Sequence, residues 1–530
     1  MHIIQKKINL YSLVMLGIGS LIGSGWLFGA WEASKIAGPA AILSWIVGVL
    51  VIGIIAYNYA ELGTMLPTSG SMSKFATYSH GNMLGFMSSW ANWISLVAII
   101  PIEAIAAVQY MASWPWSWAK YTRKMFDNGT ITIIGLFAVF TFIIIFTLIN
   151  YWSVSFLLKF TSFISLFKII VPILTIVVLS LSGFHPQNYG SSFQEFMPYG
   201  SSSIFAATTS AGIIFSFNAF QTVINMGTEV KRPSKNITLG IFLSLLISAI
   251  IYILLQSTFI TSISPGIISK YGWNGINMNS PFADLAILLG VYWLSVLLYI
   301  DAFISPFGTG VSFVASAGRA LSAMTESRHI PKFLGKINHK YNIPRVSMVV
   351  NAILSILLVS IFRSWATLAS VISTSTLISY LTGPIVLVSL RKMGPNFKRP
   401  MKVKSIRIIP LISFLVTSLA IYWGMWPTTI KVIGIITLGL PIYIFYEFKI
   451  KNSDIKKDIL GCAWFIAYLI FISLVSYVGS SDFNGQNLIK YPWDFLVIII
   501  GSVIFYAWGI RSYEYTSSFE NAKKINKKMN

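Results

Sequence analysis

Leu16-Gly17-Ile18-Gly19-Ser20-Leu21-Ile22-Gly23-Ser24-Gly25-Trp26-Leu27-Phe28-Gly29 is the stretch that decides the fold. It lies in a segment that has no charge between Lys7 and Glu32 and is long enough to cross a bilayer. Glycine in a helix costs about 0.5–1 kcal/mol relative to alanine, and an opened backbone in hydrocarbon needs new partners. We predict a helix broken near Ser24 and Gly25, whose free amides hold a substrate carboxylate. Close helix packing through the small-residue spacing is the alternative interpretation.

Composition places the chain in a membrane. Of its 530 residues, 55% are apolar and only 10% are charged. The net charge of +22 predicts orientation in the bilayer rather than a nucleic-acid partner. A single cysteine, Cys462, excludes internal disulfides, and the five histidines show no metal-ligand spacing. We therefore expect no resident cofactor, no cleavable signal peptide and two main partners, a small solute and the lipid bilayer.

Hydrophobic segments predict an all-α polytopic protein with about fourteen transmembrane helices of about 20 residues each. The predicted spans are 10–31, 39–61, 84–111, 131–150, 157–182, 203–228, 237–260, 283–318, 345–362, 366–390, 408–426, 429–447, 459–478 and 493–510. Residues 1–390 form the predicted core and 391–510 add helices 11 to 14. Residues 511–530 are predicted to be a basic cytoplasmic tail, solvated and partly disordered near anionic lipid.

Basic residues predict the orientation of these spans. Most of the 38 Lys and Arg residues fall in the N-terminus, the tail and the loops after even-numbered spans. Because cytoplasmic loops carry an excess of positive charge, both termini are predicted to be cytoplasmic, in the plasma membrane. The cluster Lys120-Tyr-Thr-Arg123-Lys124 is an exception, because it lies on the opposite side.

The sixth predicted span is polar at its centre. Asn218, Gln221, Thr222 and Asn225 follow the spacing i, i+3, i+4, i+7 and share one helix face. Such a face either lines a wet cavity or supplies hydrogen bonds between helices. Two unusual helices five spans apart indicate an inverted-repeat transporter, in which half-helix ends bind the charged groups of a solute.

Several segments carry a family resemblance. They are Gly17-Ile-Gly19 through Phe28, Tyr59-Ala60-Glu61-Leu62-Gly63 through Gly70, Gly227-Thr-Glu229-Val-Lys231-Arg-Pro233, and Arg319 through Pro331 with Asn338 through Pro344. With these segments the chain resembles the amino acid–polyamine–organocation superfamily. Ile102-Glu103 through Tyr110 and Asp301-Ala302 through Gly310 resemble its aspartate/proton symporter branch.

The resemblance implies a leucine-transporter-type fold of two inverted five-helix repeats, about 10–182 and 203–390, with helices 1 and 6 broken. It also implies amino acid transport, with a proton as the coupling ion in preference to sodium. The residues assigned to substrate binding are Ile22, Ser24, Gly25, Phe215, Phe217, Asn218 and Gln221. Many relatives have glycine where this chain has Asn218 or Ala219, and this departure leaves open how closely a substrate approaches the backbone there.

Three ionisable residues fall near the middles of predicted spans: Glu103, Lys168 and Asp301. A charge at that depth costs about 2.5–3.5 kcal/mol, so such residues are functional candidates. Lys168 matches a lysine of proton-coupled members of the superfamily, which implies that its ammonium lies against the opened part of helix 1. We assign all three to proton coupling; buried structural ion pairs are the alternative.

Two further carboxylates, Glu61 and Glu229, are assigned to gating or orientation, with surface ion pairs as the alternative. An exchanger of the same fold remains open as a second function. An enzyme is disfavoured because no nucleophile–base set is evident, and a channel because only span 6 shows a substantial polar face. The amino acid, the stoichiometry and the oligomeric state are not specified by the sequence.

Overall fold

The computed structural model describes residues 8–67, 71–127, 129–152, 154–226, 229–325, 330–338, 343–450 and 455–527. Within these ranges the regular secondary structure is helical, apart from one antiparallel pair of short strands, β1 (Phe126–Asp127) and β2 (Thr130–Ile131), and two isolated β-bridges, Ile8 with Val230 and Asn338 with Ile343. Parts of the motif segments, at 68–70, 227–228, 326–329 and 339–342, lie outside the described residues.

The first part of the chain forms seven helices. They are α1 (Leu10–Leu21), α2 (Gly25–Ala37), α3 (Ala41–Met65), α4 (Ser71–His80), α5 (Asn82–Ala112), α6 (Ile133–Trp152) and α7 (Val154–Ser182). A 3-10 turn at Gly38–Ala40 joins α2 to α3, and another at Ser117–Met125 precedes the strands. Nearly all of α5 is buried, and α15 and α17, described next, pack against it.

The second part contains a larger number of shorter helices. They are α8 (Phe193–Phe196), α9 (Ser202–Ser210), α10 (Ile213–Ser216), α11 (Phe220–Asn225), α12 (Pro233–Ser262), α13 (Pro265–Tyr271), α14 (Pro281–Leu288), α15 (Tyr292–Met324), α16 (Arg345–Ile361), α17 (Trp365–Tyr380) and α18 (Thr382–Met393). Further 3-10 turns occupy Pro186–Tyr189 and Lys332–Gly335.

The last part forms six helices. They are α19 (Ile409–Tyr422), α20 (Thr428–Thr437), α21 (Gly439–Ile450), α22 (Ile455–Val478), α23 (Trp493–Gly509) and α24 (Ser517–Lys527), with a 3-10 turn at Ser481–Phe483. Packing of α19 against α3 and α9, and of α22 against α5, attaches this part to the preceding helices.

Length and composition identify the membrane-crossing helices. Among the described residues, 8 helical segments are long and apolar enough to span a bilayer, or 9 if α9 is joined with the bent stretch Ile213–Asn225. Shorter apolar helices occupy Leu10–Leu21, Leu166–Ser182, Arg345–Ile361, Ile409–Tyr422 and Trp493–Gly509. The chain is therefore a multi-pass membrane protein, whereas the total of about fourteen spans stays a prediction.

One predicted boundary is wrong. The span predicted at 283–318 begins only at Tyr292, and the residues before it form the separate helix α14. Gly290 lies between these helices with φ of +75°, a conformation that L side chains rarely adopt. The chain therefore turns here, and hydropathy averaged over the window concealed the turn.

One residue of the basic cluster after the third predicted span, Arg123, makes several main-chain hydrogen bonds. Arg123 lies in the 3-10 turn Ser117–Met125 and donates to the main-chain carbonyls of Trp114, Pro115 and Trp116, at 3.1–3.3 Å. These carbonyls precede the turn, and the guanidinium binds all three, in addition to the Ala119 N–H that donates to the Trp116 carbonyl at 3.1 Å. Arg123 therefore has a role in local folding.

The tail is helical over Ser517–Lys527, where a partly disordered segment is predicted. Helix α24 buries Phe519 and Asn526, and Phe519 stacks on Phe397 with ring centroids 5.8 Å apart. The Asn526 amide donates to the carbonyls of Met65 and Lys398 (both 3.0 Å) and accepts from the Lys398 N–H (2.8 Å). Helix α24 is therefore docked against the end of α3. Residues 528–530 lie outside the described part.

Replacing Asn526 with alanine should release α24. Losing these buried hydrogen bonds is expected to cost about 1–3 kcal/mol, which raises the undocked population about 5- to 150-fold. Limited trypsinolysis after Lys523 and Lys524 in purified protein measures this as faster loss of the C-terminus. Glu520→Gln is the control, because the Glu520 side chain is 61% exposed. Equal cleavage rates for N526A and wild type would contradict the docking.

Candidate functional site

The first helix is interrupted where the glycine pattern predicts. Helix α1 ends at Leu21, Ile22 takes an extended conformation, and α2 begins at Gly25. The broken stretch is buried, with Ile22 and Ser24 both 0% exposed. Such a break leaves carbonyls at the end of α1 and N–H groups at the start of α2 without helical partners. Other helices supply those partners.

Glu103 of α5 occupies the N–H side of the break. The Ser24 N–H donates to Glu103 Oε2 (3.0 Å) and Oε1 (3.2 Å), and the Ser24 hydroxyl donates to Oε1 (3.1 Å). The start of a helix favours an anion because its N–H groups and dipole point outward. The Ser24 amide predicted to be free is therefore already bound to a carboxylate of the protein itself.

Lys168 of α7 occupies the carbonyl side. Its ammonium donates to the Gly19 carbonyl (3.1 Å) and to the Thr309 hydroxyl of α15 (2.5 Å). The Tyr252 hydroxyl donates to the carbonyl of Leu21 at 2.8 Å. A buried cation thus binds the last turn of the broken helix, as the resemblance implied.

Gly23 lies between these two charges. A Cβ atom at Gly23 would lie 2.9 Å from Glu103 Oε1 and 3.3 Å from Thr309 Oγ1, the atom that binds Lys168. Among the described residues no ion pair within 4.0 Å joins Glu103 to Lys168. Opposite charges therefore lie close together at the break, each bound to neutral groups.

Asp301 approaches the same place along α15. Its Oδ1 accepts a hydrogen bond from the Ser305 hydroxyl (2.7 Å), and the Ser305 carbonyl accepts one from Thr309 (3.1 Å). These residues are four apart, so they form one face of the helix. Asp301 is 0% exposed and its Oδ2 has no partner among the described residues. Thr309 in turn accepts from the Lys168 ammonium, so a chain of hydrogen bonds runs from Asp301 to Lys168. All three predicted coupling residues therefore belong to one site.

The sixth predicted span is also interrupted. It is divided into α9, α10 and α11, with breaks at Ala211–Gly212 and at 217–219. Gly212 has φ of +79°, and a Cβ there would lie 2.9 Å from atoms of both Trp365 and Ala369. The close approach of α17 therefore requires glycine at this position.

Helix α17 holds the second break through its hydroxyls. The Phe215 N–H donates to Ser373 Oγ (3.1 Å), and the Asn218 amide donates to Thr376 Oγ1 (2.9 Å). The Tyr380 hydroxyl donates to the carbonyl and to Oδ1 of Asn218, at 3.0 and 2.7 Å. Sequence reasoning missed these residues, although the run of hydroxyls at 370–379 in a predicted span was a visible signal.

The two breaks meet at Gly25 and Ser216. A Cβ at Gly25 would lie 3.2 Å from Ser216 Cβ and 3.6 Å from its Cα, so the backbones approach closely. Trp365 closes over this point by donating from Nε1 to Ser24 Oγ at 3.0 Å. Its ring lies 5.1 Å from Phe28 and 6.1 Å from Phe215. We call Phe28, Phe215 and Trp365 the aromatic lid.

The remaining predicted substrate residues lie apart from the lid. Phe217 is fully buried and packs its ring against Trp45 and Tyr252 at 5.8 and 5.4 Å, which is core packing. Gln221 lies on α11, is 3% exposed, and leaves its Oε1 without a partner among the described residues. The breaks therefore bring Ser24, Gly25 and Phe215 together, whereas Phe217 packs against Trp45 and against Tyr252, whose hydroxyl binds the Leu21 carbonyl.

The far end of the α17–α18 segment carries a charged cluster. Arg391 donates to both Glu61 carboxylate oxygens (2.8 and 2.5 Å), the Val403 N–H donates to Oε2 (2.6 Å), and Arg399 lies 3.6 Å away. We call Glu61, Arg391 and Arg399 the acid–arginine cluster. Glu229 does not join it: its side chain is exposed, and its carbonyl accepts from the Ile8 N–H.

Two interrupted helices whose breaks approach each other, with buried ionisable side chains at the first break, are features of a class of membrane transporter. The profile of the family described as amino acid permease matches residues 8–445, so the chain belongs to this family of the amino acid–polyamine–organocation superfamily. The resemblance drawn from the motifs is confirmed. The family consists of transporters and not of enzymes.

Individual relatives agree with this assignment. The chain is 44% identical over 529 residues to the glutamate/serine transporter AimA of Bacillus subtilis (strain 168), covering 100% of this chain and 98% of that protein. It is 34% identical over 508 residues to the aspartate-proton symporter of the same bacterium, covering 95% and 96%. Branched-chain amino acid permease BcaP of B. subtilis is 25% identical over 452 residues, covering 84% and 94%.

Proposed function

We propose that the protein is a proton-coupled amino acid symporter of the plasma membrane, built on two inverted five-helix repeats with four additional helices. The interruptions at 22–24 and 211–219 support this architecture, since they fall in the first and sixth predicted spans. The five shorter apolar helices complete the fourteen spans if each crosses the bilayer. Both termini then lie in the cytoplasm.

The observation that carries the coupling proposal is the position of Lys168. Its ammonium binds a carbonyl of the opened helix and the Thr309 hydroxyl of α15, so the end of α1 is held by a group that can gain or lose a proton. A charge there is costly in a bilayer and depends on its partners, so gain or loss of a proton changes how firmly α1 is held. Coupling of a proton to opening of the site follows from that dependence.

The substrate is an amino acid whose carboxylate meets the N–H groups at the start of α2. The names of two relatives, which specify glutamate, serine and aspartate, favour acidic or small amino acids. Glu103 and Asp301 repel an acidic side chain unless they are neutral, and protonation of these groups removes that repulsion. A small neutral amino acid meets no such obstacle.

A panel of labelled amino acids tests this proposal. Purified protein in liposomes is supplied with glutamate, aspartate, serine, leucine and arginine at two external pH values. Faster uptake of an acidic or small amino acid at the lower external pH is expected. Uptake that is independent of pH and requires an internal amino acid would identify an exchanger instead. No uptake of any of the five would contradict the proposal.

The acid–arginine cluster serves in this proposal as the cytoplasmic latch, because it lies at the opposite end of the α17–α18 segment from the aromatic lid. Glu61→Gln removes the charge and leaves Arg391 beside a neutral amide. The closed conformation of the inner face should lose about 1–3 kcal/mol of stability relative to the open one. The ratio of open to closed protein should then rise about 5- to 150-fold. Steady accumulation of substrate is expected to fall, while exchange across the membrane continues.

Counterflow and gradient-driven uptake, measured on the same vesicles, separate these effects. Glu32→Gln is the control, because Glu32 pairs with Lys35 (3.4 Å) outside the proposed site. Accumulation by E61Q equal to that of wild type and of E32Q would show that the cluster has no gating role.

A further inference from the structure

The carboxylate of Glu103 stands where a substrate carboxylate would bind. Its two oxygens accept every hydrogen bond that the Ser24 N–H and hydroxyl donate. Ser24 does not cap its own helix through its side chain, so the hydroxyl is committed to Glu103. A second carboxylate cannot use these donors while Glu103 holds them, because each hydrogen is already engaged.

Glu103 makes these bonds even though a cation is near. Lys168 is held by Gly19 and Thr309, and Gly23 lies between the two charged groups. A buried carboxylate that binds an amide and a hydroxyl in this way shows that the break accommodates a carboxylate sterically and electrostatically. The same donors suit the carboxylate that every amino acid carries.

We propose that Glu103 is an internal competitor that the substrate carboxylate displaces, and that the displaced Glu103 is protonated from the aqueous phase. This inference rests on the proposed function. One O–H bond forms on the Glu103 carboxyl group, one proton leaves the water, and the substrate carboxylate takes over the Ser24 hydrogen bonds. Binding of one amino acid thereby takes up one proton.

Other titratable groups face the site and must be considered. Lys168 interacts electrostatically with both Asp301 and Glu103. Tyr252 of α12 interacts with Glu103. Lys168 stabilises a negative charge on Glu103 when no substrate is bound. Asp301 weakens this stabilisation, because it also attracts the Lys168 ammonium. The bound substrate brings a carboxylate of its own. If Glu103 becomes neutral, the negative charge beside Ser24 is the same with and without substrate.

Substrate affinity should therefore rise as the pH falls, because protonation of Glu103 frees the donors of Ser24. Proton uptake on binding and this pH dependence are linked quantities. Titration calorimetry of L-serine or L-glutamate in buffers of different ionisation enthalpy counts the protons. Wild type should take up one proton more per bound amino acid than Glu103→Gln does. E103Q should bind about tenfold more tightly at high pH, with an affinity that depends less on pH than that of wild type.

Two comparisons keep the inference distinct from the proposed function. Glu103→Asp keeps the titrating group, so proton uptake should persist; L-serinamide lacks the carboxylate, so its binding to wild type should take up no proton. Amino acid binding without proton uptake, or identical pH dependence in wild type and E103Q, would overturn the inference while amino acid transport stands. Loss of binding in E103Q with retention in E103D would make Glu103 a direct ligand and also overturn it. Failure of wild type to bind any amino acid would overturn both proposals.

Discussion

Replacing Lys168 with methionine is expected to abolish uphill amino acid uptake. Methionine has a similar length but no charge, so it packs in the same space without binding the Gly19 carbonyl or the Thr309 hydroxyl. The end of α1 then loses the only positively charged donor that contacts it among the described residues. Uptake driven by an inward proton gradient should fall to the level of liposomes without protein.

Exchange of internal for external amino acid should continue in this variant, because the Ser24 side of the break is unchanged. Lys270→Met is the matched control, since Lys270 lies exposed on α13 and contacts no part of the site. Uphill accumulation by K168M along a proton gradient would refute the role of Lys168 as the coupling residue. Loss of both exchange and accumulation would indicate that the variant has lost its fold.

Gly25→Val is expected to eliminate transport by forcing the two breaks apart. The added Cβ would lie 3.2 Å from Ser216 Cβ, and the two methyl groups need further space between buried backbones. Overpacking of this kind costs about 1–3 kcal/mol when neighbours can move, and more when they cannot. Uptake and exchange should both fall more than about tenfold, because the added side chain destabilises the substrate-bound conformation as well.

Gly53→Val provides the matched control. A Cβ at Gly53 of α3 meets nothing within 4 Å, so this variant should transport like wild type. Elution of G25V as a single peak in size-exclusion chromatography would show that its loss of uptake is local. Normal uptake by G25V would contradict the close approach of α2 and α10.

The breaks were predictable from the sequence because their signals are local. Glycines in a spanning segment and polar residues at one helix spacing are visible without knowledge of contacts, and α1 and α2 separate at Ile22–Ser24 as expected. The three interior charges were found for the same reason, since a charge in hydrocarbon is conspicuous. Their grouping depended on three different helices and is a property of the structure.

Other features depend on tertiary contacts that one sequence does not specify. Glu103 was assigned to coupling, but its occupation of the Ser24 amide follows from how α5 packs against the first break. Trp365 was not identified, because a tryptophan near a span end resembles an interfacial anchor. The docking of α24 through Asn526 was missed because a basic, polar end has the composition of a disordered tail.

An imposed pH gradient across vesicles that contain no amino acid tests the central claim most directly. With the outside acidic and labelled L-glutamate or L-serine added externally, amino acid should accumulate inside above its external concentration and then leak away as the gradient dissipates. Uptake that appears only when the vesicles are preloaded with amino acid, and that ignores the gradient, would contradict proton-coupled symport.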